Sequence, residues 1–380
     1  MIVDDLRLEG ESDRAELSAR LRLESAAEAP ERLWFRFPQD MAGDQIDGSP
    51  FLPGLLMAAM CLVEELVIDA PVSARLLDGA ELAKAVMRSW WPHMDDVSVR
   101  GERVALATGA GSRGTLFTRG VDSWFTALTQ PVDTLLYSSS ADFVWGKVDS
   151  GPEETERRRR PVVEIHRSCA ERLDCRLVVV DTNLRHFIEP LIGWGYSHGG
   201  ILTACGLAVG EQLGELRVPS SFELGNLVPL GTHPLLDPHW STERTRIVHD
   251  GTDHTRMQKA VVLAEDEFAL DHLLVCNSPD PRVNCGRCGM CLMTMVMLEP
   301  IGALERCPTF REPLSAWRLA KLAAPNLLSR SAAGIRIREM PEYAARPALG
   351  AALRVGLLRF HIGRGLHHLR GILRGFVLRR

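Results

Sequence analysis

From about residue 104 onward, short apolar runs that read as strands alternate with longer stretches of helical periodicity, and this alternation constrains the fold more than any other feature of the chain. Strands separated by helix-length segments cannot pair as hairpins. Each must return by a crossover, which gives a parallel sheet with helices on its faces. The expected strands are residues 115–117, 132–138, 177–180, 215–222 and 273–276. Helices are expected to begin near Trp124, to cover 154–172 with an interruption near Pro161, and to cover 192–213, 253–263 and 288–298.

The first 100 residues read as a separate α+β unit. Residues 33–37 alternate in the manner of a half-buried strand, and the apolar stretch 51–68 reads as a buried helix. No chemical motif stands out there. Trp90-Trp91 reads as core or domain interface, because no basic residues interleave with the aromatics as a base-stacking platform requires. Past Cys307-Pro308 the chain becomes helical, with breaks at Pro313, Pro325, Pro341 and Pro347. The domains expected are residues 1–100, 101–311 and 312–380.

With 380 residues, 46% hydrophobic and 24% charged, the chain has ample core for two or three globular domains. The longest apolar run, 51–63, is too short to span a bilayer, and the N-terminus has neither a basic start nor an apolar h-region. A soluble, cytoplasmic protein is expected. Five of the nine cysteines (Cys61, Cys169, Cys175, Cys205 and Cys307) are scattered singly, which fits reduced thiols better than a disulfide framework. Net charge is −5, yet residues 351–380 hold seven Arg and no Asp, Glu or Lys, leaving −12 for the rest. Apolar residues at three- and four-residue steps make this tail an amphipathic docking or dimer helix, with acidic lipid or nucleic acid as alternative partners. The run 157–160, all Arg, reads as a solvated helix face, with an anion contact as the alternative.

Two segments carry chemistry. The first is Thr118-Arg119-Gly120-Val121-Asp122-Ser123, a turn between a strand and a helix. The helix dipole favours an anion there, Thr118 and Ser123 add hydroxyls, Gly120 permits close approach, and Asp122 can cap the helix or help hold Mg²⁺. A plain helix cap is the competing reading. It is neither a Walker loop nor a dinucleotide-binding glycine pattern. The second is Cys276, Cys285, Cys288 and Cys291, whose short spacings suit four-thiolate Zn²⁺. A ferredoxin-type cluster using Cys307-Pro308 is the alternative, although fifteen residues separate Cys291 from Cys307 where that run has three.

Taken together, Phe117 to Trp124 resembles the PP-loop (Ser-Gly-Gly-x-Asp-Ser) of N-type ATP pyrophosphatases, and the cysteine cluster is similar to the zinc site of one branch, the 7-cyano-7-deazaguanine synthases. The resemblance covers about residues 103–310. It implies a Rossmann-like, HUP-type α/β domain that uses ATP, Mg²⁺ and Zn²⁺, with Thr118, Arg119, Gly120, Val121, Asp122 and Ser123 as nucleotide-binding positions. It further implies adenylation of a carbonyl or carboxyl oxygen, with AMP displaced by a nitrogen or sulfur nucleophile. Two departures stand out: Arg119 replaces a glycine, and 231–243 replaces the Asp-containing segment of the synthases.

An Arg fork at 119 can add a phosphate contact, or its bulk can mark a loop that no longer turns over. Within 231–243, His233, Asp237 and Glu243 are candidates for substrate recognition or acid/base work, against a Pro-rich structural turn. Arg256 and Lys259 share a helix face, where Lys259 reads as a phosphate contact or as solvated surface. The leading expectation is an ATP-dependent C–N ligase acting on a small-molecule, nucleotide, carrier or protein substrate. Its rivals are a sulfur transferase using one of the unplaced cysteines and a catalytically silent nucleotide-binding scaffold.

Overall fold

Strands drawn from residues 2–250 meet in one sheet. The computed structural model describes residues 1–25, 28–108, 111–138, 152–320, 347–352 and 354–355. Its strands are β1 (Ile2–Glu11), β2 (Arg14–Arg22), β3 (Arg32–Pro38), β4 (Leu66–Ser73), β5 (Val99–Val104), β6 (Ser112–Leu116), β7 (Thr134–Ser138), β8 (Arg176–Thr182), β9 (Leu213–Pro219) and β10 (Arg246–Asp250). They lie in the order β10-β9-β6-β7-β8-β3-β2-β1-β4-β5. The helices are α1 (Phe51–Leu62), α2 (Ala74–Trp90), α3 (Val121–Thr129), α4 (Pro152–Arg172), α5 (Leu184–Ile192), α6 (Trp194–Ala208), α7 (Arg256–Ala264), α8 (Glu267–His272), α9 (Gly289–Leu298) and the short α10 (Ala316–Ala320).

Strands β6 to β10 are parallel, as their helical crossovers require. From β6 the chain steps to β7 and β8 on one side, then returns across β6 to β9 and β10 on the other. The strand order therefore reverses between β6 and β9, the place where open α/β sheets bind ligands at their carboxyl edge. Every residue of β7 is buried, the pattern of a strand covered on both faces.

An antiparallel β1–β2–β3 ribbon joins this half through β3 and β8, where Phe35 pairs with Thr182. The Asn183 side chain fastens the join, accepting from the Trp34 N–H at 3.0 Å and donating to the Arg32 carbonyl at 2.8 Å. Leu33, Phe35 and Phe37 point into the same core as Val178 and Val180. The expected boundary at residue 100 thus falls inside β5, an outer strand of this one sheet.

Two compact units result. Met1–Thr118, Asp122–Ser221 and Leu227–Thr252 form the first, which carries the sheet; Arg119–Val121, Phe222–Asn226 and Asp253–Arg380 form the second. In the second, α7 packs against α8 and α9.

Several sequence expectations are corrected. The stretch 51–68 is not one helix: α1 ends at Leu62, Val63 turns left-handed with φ 57°, and β4 begins at Leu66. The break is chemical. Glu64 is buried, takes the N-terminal ammonium at 2.7 Å and accepts the Ser25 N–H at 2.8 Å, which a continuing helix would not permit. Residues 273–276 are not a strand, because their backbone bonds elsewhere: Leu274 N–H donates to the Arg119 carbonyl and Val275 N–H to the Asn284 side chain. The fifth parallel strand is β10 instead. Helix α4 runs through Pro161, and α6 ends at Ala208, short of 213. Within the 157–160 run, Arg159 is buried and pairs with Asp181 at 3.1 Å, while its neighbours are exposed. The basic tail lies largely outside the described residues, as do Pro325 and Pro341. Among the described residues no helix is long and apolar enough to cross a membrane.

Candidate functional site

Strand β6 ends at Leu116, and the Phe117 N–H still reaches the Leu136 carbonyl at 2.9 Å, so the turn starts from the carboxyl edge of the sheet. Thr118 is exposed, and its N–H donates to Ser123 Oγ at 3.3 Å, closing the turn onto the first turn of α3. Asp122 and Ser123 are buried there, at the positive end of the helix dipole. Trp124 packs edge-on against Phe117 at 4.9 Å. Thr126 Oγ1 donates to Asp250 Oδ2 at 2.8 Å, and Arg217 donates to the other Asp250 oxygen at 2.9 Å, so α3 is pinned to the carboxyl end of β10.

Arg119 has φ 60°, a left-handed conformation that costs a side-chain-bearing residue about 1–2 kcal/mol. This is the position where the resembled PP-loop pattern has glycine. The guanidinium expected to reach toward a phosphate is turned onto the chain: Nη1 and Nη2 each donate to the Pro281 carbonyl at 3.0 Å, and the residue is 2% exposed.

The four cysteines converge. Their sulfurs all lie within 4.8 Å of one another, and Cys285 and Cys291 Sγ are 3.7 Å apart. Four sulfurs about 2.3 Å from one tetrahedral metal stand about 3.8 Å from each other, so the set fits such an ion. Backbone N–H groups turn in toward the sulfurs: Cys285 N–H to Cys276 Sγ at 3.2 Å, Cys288 N–H to Cys285 Sγ at 3.4 Å, and Cys291 N–H to Cys288 Sγ at 3.5 Å. Gly286, at φ 65°, makes the tight bend between the second and third ligands, and Cys288 caps α9. Hydrogen bonding from the Cys291 thiol, with the Cys285 N–H helping, holds the Cys276 thiol down to about 5. The Cys291 thiol is pushed up as the donor in that bond, and burial raises Cys288.

Asn284, 3% exposed, braces the site. Its side chain accepts from Val275 N–H at 2.8 Å and donates to the Leu273 carbonyl and Thr309 Oγ1, each at 2.9 Å. Cys307 stays out of the cluster: its thiol donates to the Leu270 carbonyl at 3.1 Å, and burial pushes it up to about 11. Lys259 is 1% exposed in α7, so it is not a solvated surface residue.

The segment 231–243 seats on α6 because glycines allow it: a Cβ at Gly199 would stand 1.8 Å from the Gly231 carbonyl oxygen. Asp237 is fully buried. Its Oδ1 accepts the His233 N–H at 3.1 Å, and its Oδ2 faces His249 Nδ1 at 2.7 Å. A carboxylate only accepts, so Nδ1 of His249 carries a proton, and in the neutral ring Nε2 is the acceptor. That Nε2 is buried with no hydrogen-bond partner among the described residues. Burial and the neighbouring His249 hold His233 below the usual imidazole range; its Nδ1 accepts the Leu235 N–H and its ring lies edge-on to Trp90 at 4.7 Å. Trp91, 8% exposed, is edge-on to Tyr196, so the Trp pair is packed against neighbours. Glu243 accepts from Ser73 Oγ at 2.7 Å and Arg75 N–H at 2.9 Å at the start of α2.

Sequence reasoning missed His249, Asp250 and Asn284. His249 pairs with Val218 on β9, and Arg217 with Thr115 on β6, so His249 is level with the end of β6. Two strand spacings separate them, about 10 Å. The available signal was the string 246–250, Arg-Ile-Val-His-Asp, a short strand ending in two titratable residues. Comparison of the chain with protein-family models, with curated proteins and with solved structures finds no match.

Proposed function

We propose that this chain is an ATP-dependent enzyme of the PP-loop type that forms AMP and pyrophosphate, activating a carboxylate or carbonyl oxygen for attack by a nitrogen nucleophile. One observation carries the reading: a strand, a closed hydroxyl-bearing turn and a helix N-terminus stand beside the strand-order reversal, with a left-handed residue where the resembled motif has glycine. A left-handed backbone is one that glycine takes most readily, so the conformation of Arg119 supports the resemblance.

In this account Thr118, Gly120 and Ser123 cradle the phosphates, and Asp122 is the carboxylate for Mg²⁺, which supplies charge neutralisation on the departing pyrophosphate. The substrate oxygen attacks the α-phosphorus and pyrophosphate leaves; the nitrogen then attacks the activated carbon and AMP leaves. The proton released by the nitrogen goes to Nε2 of His249, whose other nitrogen Asp237 holds protonated and oriented. The four cysteines hold a structural Zn²⁺.

The test is product analysis after incubation with ATP, Mg²⁺ and a fractionated metabolite extract supplemented with ammonia. AMP and pyrophosphate are expected, and should disappear in Asp122→Ala. ADP and phosphate would refute the reading, and tight ATP binding without turnover would favour a silent scaffold.

A further inference from the structure

The turn and the cysteine site share one residue, Arg119. Its carbonyl accepts the N–H of Leu274, two positions before Cys276, at 3.0 Å. Its guanidinium donates twice to Pro281, four positions before Cys285. Pro281 therefore lies in the segment that the first two cysteines bracket and Leu274 just before it, and Arg119–Val121 forms part of the same compact unit as both.

We infer that Arg119 is a positioning residue through which metal occupancy at Cys276, Cys285, Cys288 and Cys291 holds the crown of the 118–123 turn in place. The inference rests on the metal reading of the cysteines and not on the nucleotide reading of the turn. Segment 277–284 is drawn tight by a bend at Asp280, whose side chain accepts the Arg282 N–H at 2.9 Å and whose carbonyl accepts the Val283 N–H at 3.2 Å. Asn284 fixes one end of it against Val275. A metal held by Cys276 and Cys285 would close the loop at both ends and fix where the Pro281 carbonyl stands. Without the metal the segment would keep the bend and the Asn284 anchor but lose its closure at Cys276 and Cys285. A left-handed, non-glycine residue persists only where its surroundings over-determine it, and both contacts help to hold Arg119 there. A buried guanidinium is costly to leave without acceptors, which makes the Pro281 contact worth more than a surface hydrogen bond.

Hydrogen–deuterium exchange of the full-length protein tests this, comparing zinc-loaded protein with protein stripped by a chelator. Stripping should speed exchange in the crown peptide, residues 117–125, by about tenfold. It should do the same in the cysteine loop, residues 272–292, and leave the β1–β3 ribbon unchanged. Arg119→Gly separates the link from general loosening, because glycine accepts the left-handed backbone and only the guanidinium is lost. With zinc bound, this variant should exchange fast in the crown and slowly in the cysteine loop. If stripping unfolds the chain and the ribbon exchanges too, the zinc-bound variant alone decides. A crown that stays protected in Arg119→Gly, or in stripped protein whose cysteine loop has opened, would overturn the inference. Protein that takes up no zinc would refute the metal reading and this inference with it, whereas zinc-loaded protein with an indifferent crown would refute the inference alone.

Discussion

Replacing Asn284 with alanine should weaken metal binding without touching a ligand. The side chain, of a residue that is 3% exposed, makes three hydrogen bonds, and the substitution removes all three, leaving the Val275 N–H and the Leu273 carbonyl to find other partners. At about 1 kcal/mol net per bond, the loss is about 3 kcal/mol. That energy orders the segment carrying Cys276 next to Cys285, so without it the metal must supply the ordering on binding. At 1.4 kcal/mol per decade, zinc affinity should fall about 100-fold. Thr309→Val, which removes one of the three bonds, should cost about fivefold by the same arithmetic. Titration against a chromophoric chelator of known affinity reads both. An Asn284→Ala protein that stays folded and holds zinc within about threefold of the parent would refute the idea that Asn284 pre-orders the site.

Glu243→Ala should cost about 1 kcal/mol of thermal stability, because it removes the cap on α2, and should leave turnover intact; unchanged stability with lost turnover would restore a substrate role to Glu243. Burial alone would raise the Glu64 carboxyl, but the N-terminal ammonium and the Ser25 and Glu24 donors outweigh it and hold the group down to about 2, against an ordinary value of 4.5. Its folded pKa is depressed, so its contribution is full above about pH 4.5 and is lost as pH falls toward 2; urea midpoints at pH 6 and pH 3 should differ less in Glu64→Gln than in the parent, and an equal difference would contradict this. His249→Gln keeps an N–H for Asp237 and should remain folded while losing transfer to the nitrogen acceptor, whereas His249→Leu leaves a buried carboxylate short of a partner and should lose about 3 kcal/mol in a thermal melt. Full transfer activity in the glutamine variant would remove His249 from the mechanism.

What the sequence disclosed was mostly local. The β6–turn–α3 joint and the four cysteines could be read because each depends on residues a few positions apart, whose spacing already fixes a turn or a ligand cage. The parallel half could be read because β7 and β8 are apolar enough to be recognised without their neighbours. Strand β10 was hidden because only Ile247 and Val248 in it are apolar, with Arg246 before them and His249 and Asp250 after, and the apolar 273–276 drew the assignment away. Nothing local shows that Leu274 and Val275 give their N–H groups to Arg119 and Asn284 instead of a ladder. The α1–β4 boundary depends on Glu64 meeting the chain's own amino terminus, a contact between residues 1 and 64. Asp237 was a candidate from composition, yet its partner His249 lies on another element, and the fold alone brings the pair together. Glu243 looked equally reactive in sequence, and in the fold its carboxylate accepts from Ser73 Oγ and the Arg75 N–H at the start of α2.

The central claim is tested most directly by a crystal structure of the protein with Mg²⁺ and an ATP analogue that resists cleavage between the α- and β-phosphates. The triphosphate should lie across residues 118–123, with the β- and γ-phosphates at the N-terminus of α3 and Asp122 beside the metal. Nucleotide bound elsewhere, or a saturated crystal with the turn bare of nucleotide, would contradict it.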